Sequence, residues 1–162
     1  MRNVTQSEHQ RSKRKSQNGF SLIELLIVVA IILIIAAIAI PNFLRAKIAA
    51  NESAAVSSIH AINTSEISYA SAYPSIGFSV QLSDLGPAGA GYLDNVLSSG
   101  TKSGYQFTYV QSTVDIPSDG YTLNGDPVTR GVTGQRSFYS DQFNQTHYNS
   151  SASAASTDPT IQ

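Results

Sequence analysis

Cysteine is absent from the 162 residues, which excludes disulfides and thiolate-held metals and says nothing by itself about compartment. The constellations that carry catalysis are missing as well. His9, His60 and His147 are the three histidines, and no HxxxH or comparable ligand spacing joins them. His60 reads as a surface or domain-edge residue. There is no glycine-rich phosphate loop and no nucleophile elbow. Asp115, Asp119 and Asp126 come nearest to a calcium loop, but their spacing does not match one, and turn-forming aspartates account for them. No catalytic residue, metal site or cofactor is therefore expected, and an enzyme is not the expectation. A basic patch is lacking too. The formal net charge of −1 averages two opposed segments. Residues 1–19 carry Arg2, Arg11, Lys13, Arg14 and Lys15 against Glu8, and the remainder carries five basic against ten acidic residues. Nothing in the acidic remainder points to nucleic acid.

What is present is one long apolar run. Phe20 to Ile40 is interrupted only by Ser21 and Glu24, and from Leu25 to Ile40 no side chain is polar. As a helix it spans roughly 31 Å, the hydrocarbon thickness of a bilayer. A buried core helix would show a polar face, and this run shows none. A secretory signal peptide would be cut after the apolar stretch, at small residues. Here Pro41-Asn42-Phe43 and a helical continuation follow instead. The basic leader stays on the cytoplasmic side by the positive-inside rule, which sends the C-terminal part outward. Glu24 is the anomaly: an ionised carboxylate in lipid costs several kcal/mol and calls for a partner.

The segment Gly19-Phe20-Ser21-Leu22-Ile23-Glu24-Leu25-Leu26, with the basic leader before it and Pro41 after it, resembles the class III signal of type IV pilins and pseudopilins. The likeness is strong from about Lys13 to Lys47 and weaker beyond, although Gly134 to Tyr148 loosely resembles the family's C-terminal strands. It implies that a prepilin peptidase cuts between Gly19 and Phe20 and methylates the new Phe20 amine. It also implies that Glu24 pairs with the amine of a neighbouring subunit, and that Glu24 and Pro41 serve assembly. Many members of this family close a C-terminal loop with a disulfide; this chain must hold its tip some other way.

The rest of the chain reads as one modest domain. Asn42 to Tyr73 returns to helical spacing, with Leu44, Ile48, Ala55, Ile59, Ile62, Tyr69 and Tyr73 on one stripe and Arg45, Lys47, Glu52, Ser57, Ser58, Asn63 and Ser65 on the remaining circumference. Pro41 should kink or loosen the helix, and Pro74 with Gly77 should end it. Pro74 to Gly104 is loop-rich, with short turns near Ser79–Leu85 and Tyr92–Ser98. From Tyr105 the period becomes two, predicting strands at Tyr105–Val110, Tyr121–Asn124, Arg136–Ser140 and Thr146–Tyr148. Gly125-Asp126-Pro127 should stop the second of these. Ser150 to Gln162 is small and polar and reads as a mobile tail.

The expected fold is therefore α+β: a long N-terminal membrane-spanning helix whose C-terminal half packs on a small antiparallel sheet, as in the pilin fold. The expected organisation is a cleaved leader (1–19), an assembly helix (20–40), a globular domain (41–149) and a tail (150–162). The resemblance implies a structural filament subunit, with a type II secretion pseudopilin as the alternative. A single-pass membrane-anchored binding module is the reading from another class. Its partners would be the prepilin peptidase, copies of itself, an inner-membrane platform protein with the assembly machinery, and membrane lipid before assembly. Its place would be the bacterial inner membrane with a periplasmic C-terminus, and afterwards a fibre.

Overall fold

A computed structural model of the chain describes residues 19–112 and 117–161. The leader through residue 18 and Asp115 lie outside the described residues. Helix α1 runs Leu22–Ala72 and is followed by a 3-10 turn at Leu82–Leu85 and by α2, Asn95–Ser98. Five strands follow: β1 Thr101–Lys102, β2 Tyr105–Gln111, β3 Tyr121–Pro127, β4 Ser137–Asp141 and β5 His147–Asn149. They form one sheet in the order β1-β2-β3-β4-β5, every neighbour pair antiparallel. The α+β arrangement is the one the sequence predicts. The chain divides into two compact units, Met1–Ala39 and Ile40–Gln162.

In the first unit the described residues are exposed, Ala36 alone being half-buried. In the second, Ala55, Ile59 and Ile62 of α1 pack with Tyr105, Phe107, Leu123 and Phe138 of the sheet, and Leu85 and Leu97 close the same core. The alternation of β2 appears as buried Tyr105 and Phe107 between exposed Gln106 and Thr108. Each such ring removes on the order of 2 kcal/mol of apolar surface from water.

The outer parts of the stripe are not core. Leu44 is 52% and Tyr73 42% exposed. Conversely Glu52, Ser58, Asn63 and Ser65, assigned from spacing to the outer circumference, are buried. Ser58 bonds the Ala54 carbonyl of its own helix, Ser65 the Tyr92 carbonyl, Glu52 the segment just before β4 and Asn63 the sheet itself, so the buried face of α1 is wider and more polar than an apolar pattern can reveal. Asn63 shows this fully. Its amide nitrogen donates to Ser140 Oγ at 2.8 Å and Asn144 Oδ1 at 2.7 Å, and its Oδ1 accepts from the Tyr121 hydroxyl at 2.9 Å.

Two further differences have local causes. β3 continues through Gly125 and Asp126 to Pro127, where a stop is expected. Gly125 pairs with Phe107, and a Cβ there would fall 3.2 Å from Phe107 Cε1 and 3.4 Å from Ile59 Cδ1. Glycine is needed because ring and helix close on the strand.

The tail is not loose. Tyr148 N–H donates to the Pro159 carbonyl at 2.9 Å and Ile161 N–H to that of Thr146 at 2.8 Å, so the C-terminal segment lies along β5. The Asp158 carboxylate accepts from Asn149 Nδ2 at 3.2 Å and Ala155 N–H at 2.8 Å, and Ala154 is buried. These polar clasps hold the tip of a chain without disulfides and cover an otherwise open sheet edge.

Candidate functional site

The site begins where regular structure begins. Gly19 and Phe20 are exposed and non-helical, and α1 starts at Leu22. Ser21 N–H donates to Glu24 Oε2 at 2.9 Å, and Leu25 N–H donates to the Ser21 carbonyl at 3.3 Å. Ser21 thus stands at the N-cap and Glu24 at the third helical position, where a carboxylate satisfies one of the orphan donors and meets the positive end of the helix dipole. The sequence marks Glu24 as a charge in need of a partner, and the capping role is an addition from the structure. The Ser-x-x-Glu spacing before an apolar run was the available signal for the cap.

Among the described residues nothing requires glycine at position 19, where an added Cβ would meet no described atom within 4 Å. Phe20 is 90% exposed, and the large apolar side chains from Leu22 to Ile40 are all exposed as well. Among the described residues α1 is the one helix long and apolar enough to cross a membrane. Pro41 lies inside α1, which continues past the missing donor.

Two carboxylates of the second unit are buried: Glu52, which spacing puts on the outer circumference, and Glu66, which the sequence does not single out. Glu52 Oε1 accepts from the Gln135 and Arg136 amides at 2.9 and 3.1 Å, and its Oε2 accepts from Arg136 Nε at 2.8 Å. Burial raises the carboxyl's pKa, but these backbone donors and the guanidinium outweigh it and hold it below the usual range. Arg136 also lies 5.6 Å from the Phe138 ring centroid and 5.5 Å from that of Tyr148. Glu66 is fully buried and accepts from the Ser79 amide at 2.9 Å and from the Ser79 hydroxyl. Burial pushes its pKa up, and the two Ser79 donors only partly offset this. Glu52 ties α1 to the segment before β4, more than 80 residues on, and Glu66 ties it to the loop that follows the helix. Their role is structural.

The other sequence candidates do not converge. His60 is exposed, and His147 Nδ1 is 2.6 Å from the Asp158 carbonyl. Asp126 accepts from Ser153 Oγ at 2.7 Å. Among the described residues no three histidine or acidic side chains come together as a metal site.

Residues 14–40 match the family described as the prokaryotic N-terminal methylation motif. The N-terminal segment is similar to those of type IV pilins. It is also 51% identical over 51 residues to the type IV major pilin protein PilA of Myxococcus xanthus, covering 32% of this chain and 23% of that one. The chain thus matches less than a quarter of this relative's length. No solved structure matches. The methylation motif contains the exposed Gly19-Phe20 junction, the Ser21–Glu24 cap and the apolar run, and it ends one residue before Pro41.

Proposed function

We propose that the chain is the precursor of a type IV pilus-like filament subunit. The observation that carries this is the methylation motif, set on a helix whose apolar surface the protein itself leaves uncovered. Before assembly the helix lies in the inner membrane as a single span with the C-terminal unit in the periplasm. The prepilin peptidase cuts after Gly19 and methylates Phe20, a junction that the fold leaves free to enter a narrow site. An assembly machinery with a platform protein then draws subunits from lipid into a helical array of Phe20–Ile40 helices. Because lipid and helix are equally apolar, the gain comes from close packing and polar pairing rather than from dehydration.

Glu24 is suited to that pairing. Its Oε2 is engaged by Ser21, while a carboxylate has two oxygens, leaving Oε1 for the amine of a neighbour. An amine or carboxylate left alone in so apolar a surrounding costs several kcal/mol, so the pair selects one register. Pro41 removes one backbone hydrogen bond just beyond the run and gives the helix local freedom to fit the array.

Mass spectrometry of filaments tests the reading: the expected chain starts at methylated Phe20. A chain left uncut at Gly19 would make the helix a mere anchor for a binding module. Glu24→Ala should still be processed and should fail to enter fibres; normal fibres from that variant would remove the pairing. A type II secretion pseudopilin carries the same first helix, and fibres confined to the periplasm would assign the chain there.

A further inference from the structure

The charges of the second unit are sorted by end. After Ile40 there are five basic residues. Lys102 is paired with Asp94 and Arg136 with Glu52, while Arg130 is bonded to Gln135, Ser137 and Ala152. Arg45 and Lys47, both exposed, are the two with no side-chain partner among the described residues. Beside them Phe43 is 66% and Leu44 52% exposed. This stretch is both cationic and apolar, and it precedes the part of α1 that the sheet covers.

The opposite end carries the complement. Asp119 and Asp141 line one groove with Gln111, Tyr139 and Gln142, and among the described residues no basic one lines it. Beside it, Phe143 at the β4–β5 turn is 73% exposed. That aromatic is not there by looseness. Asp141 Oδ1 accepts from the Phe143 amide at 3.0 Å, and the Asp141 carbonyl accepts from the Asn144 amide at 2.9 Å. Asn144 Oδ1 is in turn held by Asn63, deep under the sheet. The turn is fixed from inside and presents its ring outward.

The two patches cannot meet within one copy. Asn63 marks the level of the β4–β5 turn, and Arg45 lies roughly 27 Å from it along α1 at about 1.5 Å per residue. Two like ends brought together by a two-fold axis would set carboxylates against carboxylates. Opposite ends are complementary in charge and in apolar surface, and a contact between unlike patches propagates instead of closing. We infer that the β4–β5 end of one copy docks on the Phe43–Lys47 stretch of the next. In that contact Asp119 and Asp141 face Arg45 and Lys47, and Phe143 lies against Phe43 and Leu44. The inference rests on the filament reading above and adds to it a second, head-to-tail interface outside the apolar helices.

The lack of cysteine makes the contact directly readable. Lys47→Cys and Asp141→Cys together, in the otherwise cysteine-free full chain, should yield a ladder of covalent multimers when intact filaments are oxidised, and either variant alone should not. Filaments that stay monomeric, or that stop at dimers, overturn the inference and leave the filament reading standing. Absence of filaments from the unmodified chain overturns both. As an independent arm, reversing Arg45 and Lys47 to Asp should reduce fibre yield about tenfold or more. Adding Asp119→Lys and Asp141→Lys should restore it. Variants with Asp at 45 and 47 that assemble normally but lose binding to phosphatidylglycerol vesicles would assign the two cations to a lipid surface and end the proposal.

Discussion

Replacing Glu66 with glutamine should make the second unit more stable at neutral pH, not less. The carboxyl is fully buried and its hydrogen bonds come from neutral Ser79 donors, with Tyr109 donating to the Ser79 carbonyl at 2.9 Å close by. The nearby charge that acts on it, Asp84, is of the same sign. Burial therefore raises its folded-state pKa above the unfolded value near 4.5, and the sign of the linkage follows. Stability is highest below the unfolded value and falls as pH rises through the folded one, by about 1.4 kcal/mol for each unit that separates them. Glutamine keeps one acceptor for the Ser79 amide. Its NH2 can donate to the Ser79 hydroxyl, which retains the Gln81 carbonyl as acceptor at 3.3 Å. The variant thus removes the titration without orphaning a donor. Glu66→Ala instead strands the Ser79 amide and hydroxyl and should cost about 2 kcal/mol or more at any pH. Denaturant unfolding of the full chain in detergent, from pH 4 to pH 8, reads the difference between wild type and Glu66→Gln. That difference cancels the contributions of the other carboxyls. A constant difference across the range, or one that grows in favour of wild type as pH rises, would refute the reasoning.

Glu52 should behave with the opposite sign. Its pKa is lowered, so its contribution is present above about pH 4.5 and is lost as acid carries it through the lowered value. Glu52→Ala should cost about 2 kcal/mol at neutral pH, since it leaves two amides and a half-exposed guanidinium without their acceptor, and the loss should shrink on acidification in the same unfolding assay. Truncation after Asn149 should expose the β5 edge, measured as lost hydrogen-exchange protection at the Tyr148 amide, which bonds the Pro159 carbonyl. Gly19→Ala should leave the fold unchanged, as nothing lies within 4 Å of the added methyl, while mass spectrometry finds an uncut leader.

The apolar run, the methylation motif, the change of period at Tyr105 and the antiparallel character of the later strands were legible in the chain because each is a local regularity; the strand order and the short β1 at Thr101–Lys102 were not. A helix without a polar face, or a strand alternating Tyr105, Gln106, Phe107 and Thr108, declares its surroundings within a few residues. Boundaries were less legible where a neighbour distant in sequence decides them. Gly125 reads as a stop, and only Phe107 and Ile59 pressing on it explain why it is a strand residue. The N-cap was within reach, because Ser21 and Glu24 lie three residues apart, yet the carboxylate's place in an apolar run drew attention to charge and away from capping.

The chain by itself determined that a greasy helix with one carboxylate near its start stands ahead of a small α+β unit, because hydrophobic periodicity and a contiguous motif need no partner to be read. Tertiary structure alone decided which polar side chains lie inside that unit and whether its end is tied down. Glu52, Asn63 and Glu66 are buried, and the Ser150–Ile161 stretch is docked, since a polar group enters a core only where donors and acceptors meet it. Here those come from outside each residue's own element: Arg136 for Glu52 and Ser140 for Asn63, both more than 70 residues away, and the nearer Ser79 for Glu66 and Asn149 for Asp158.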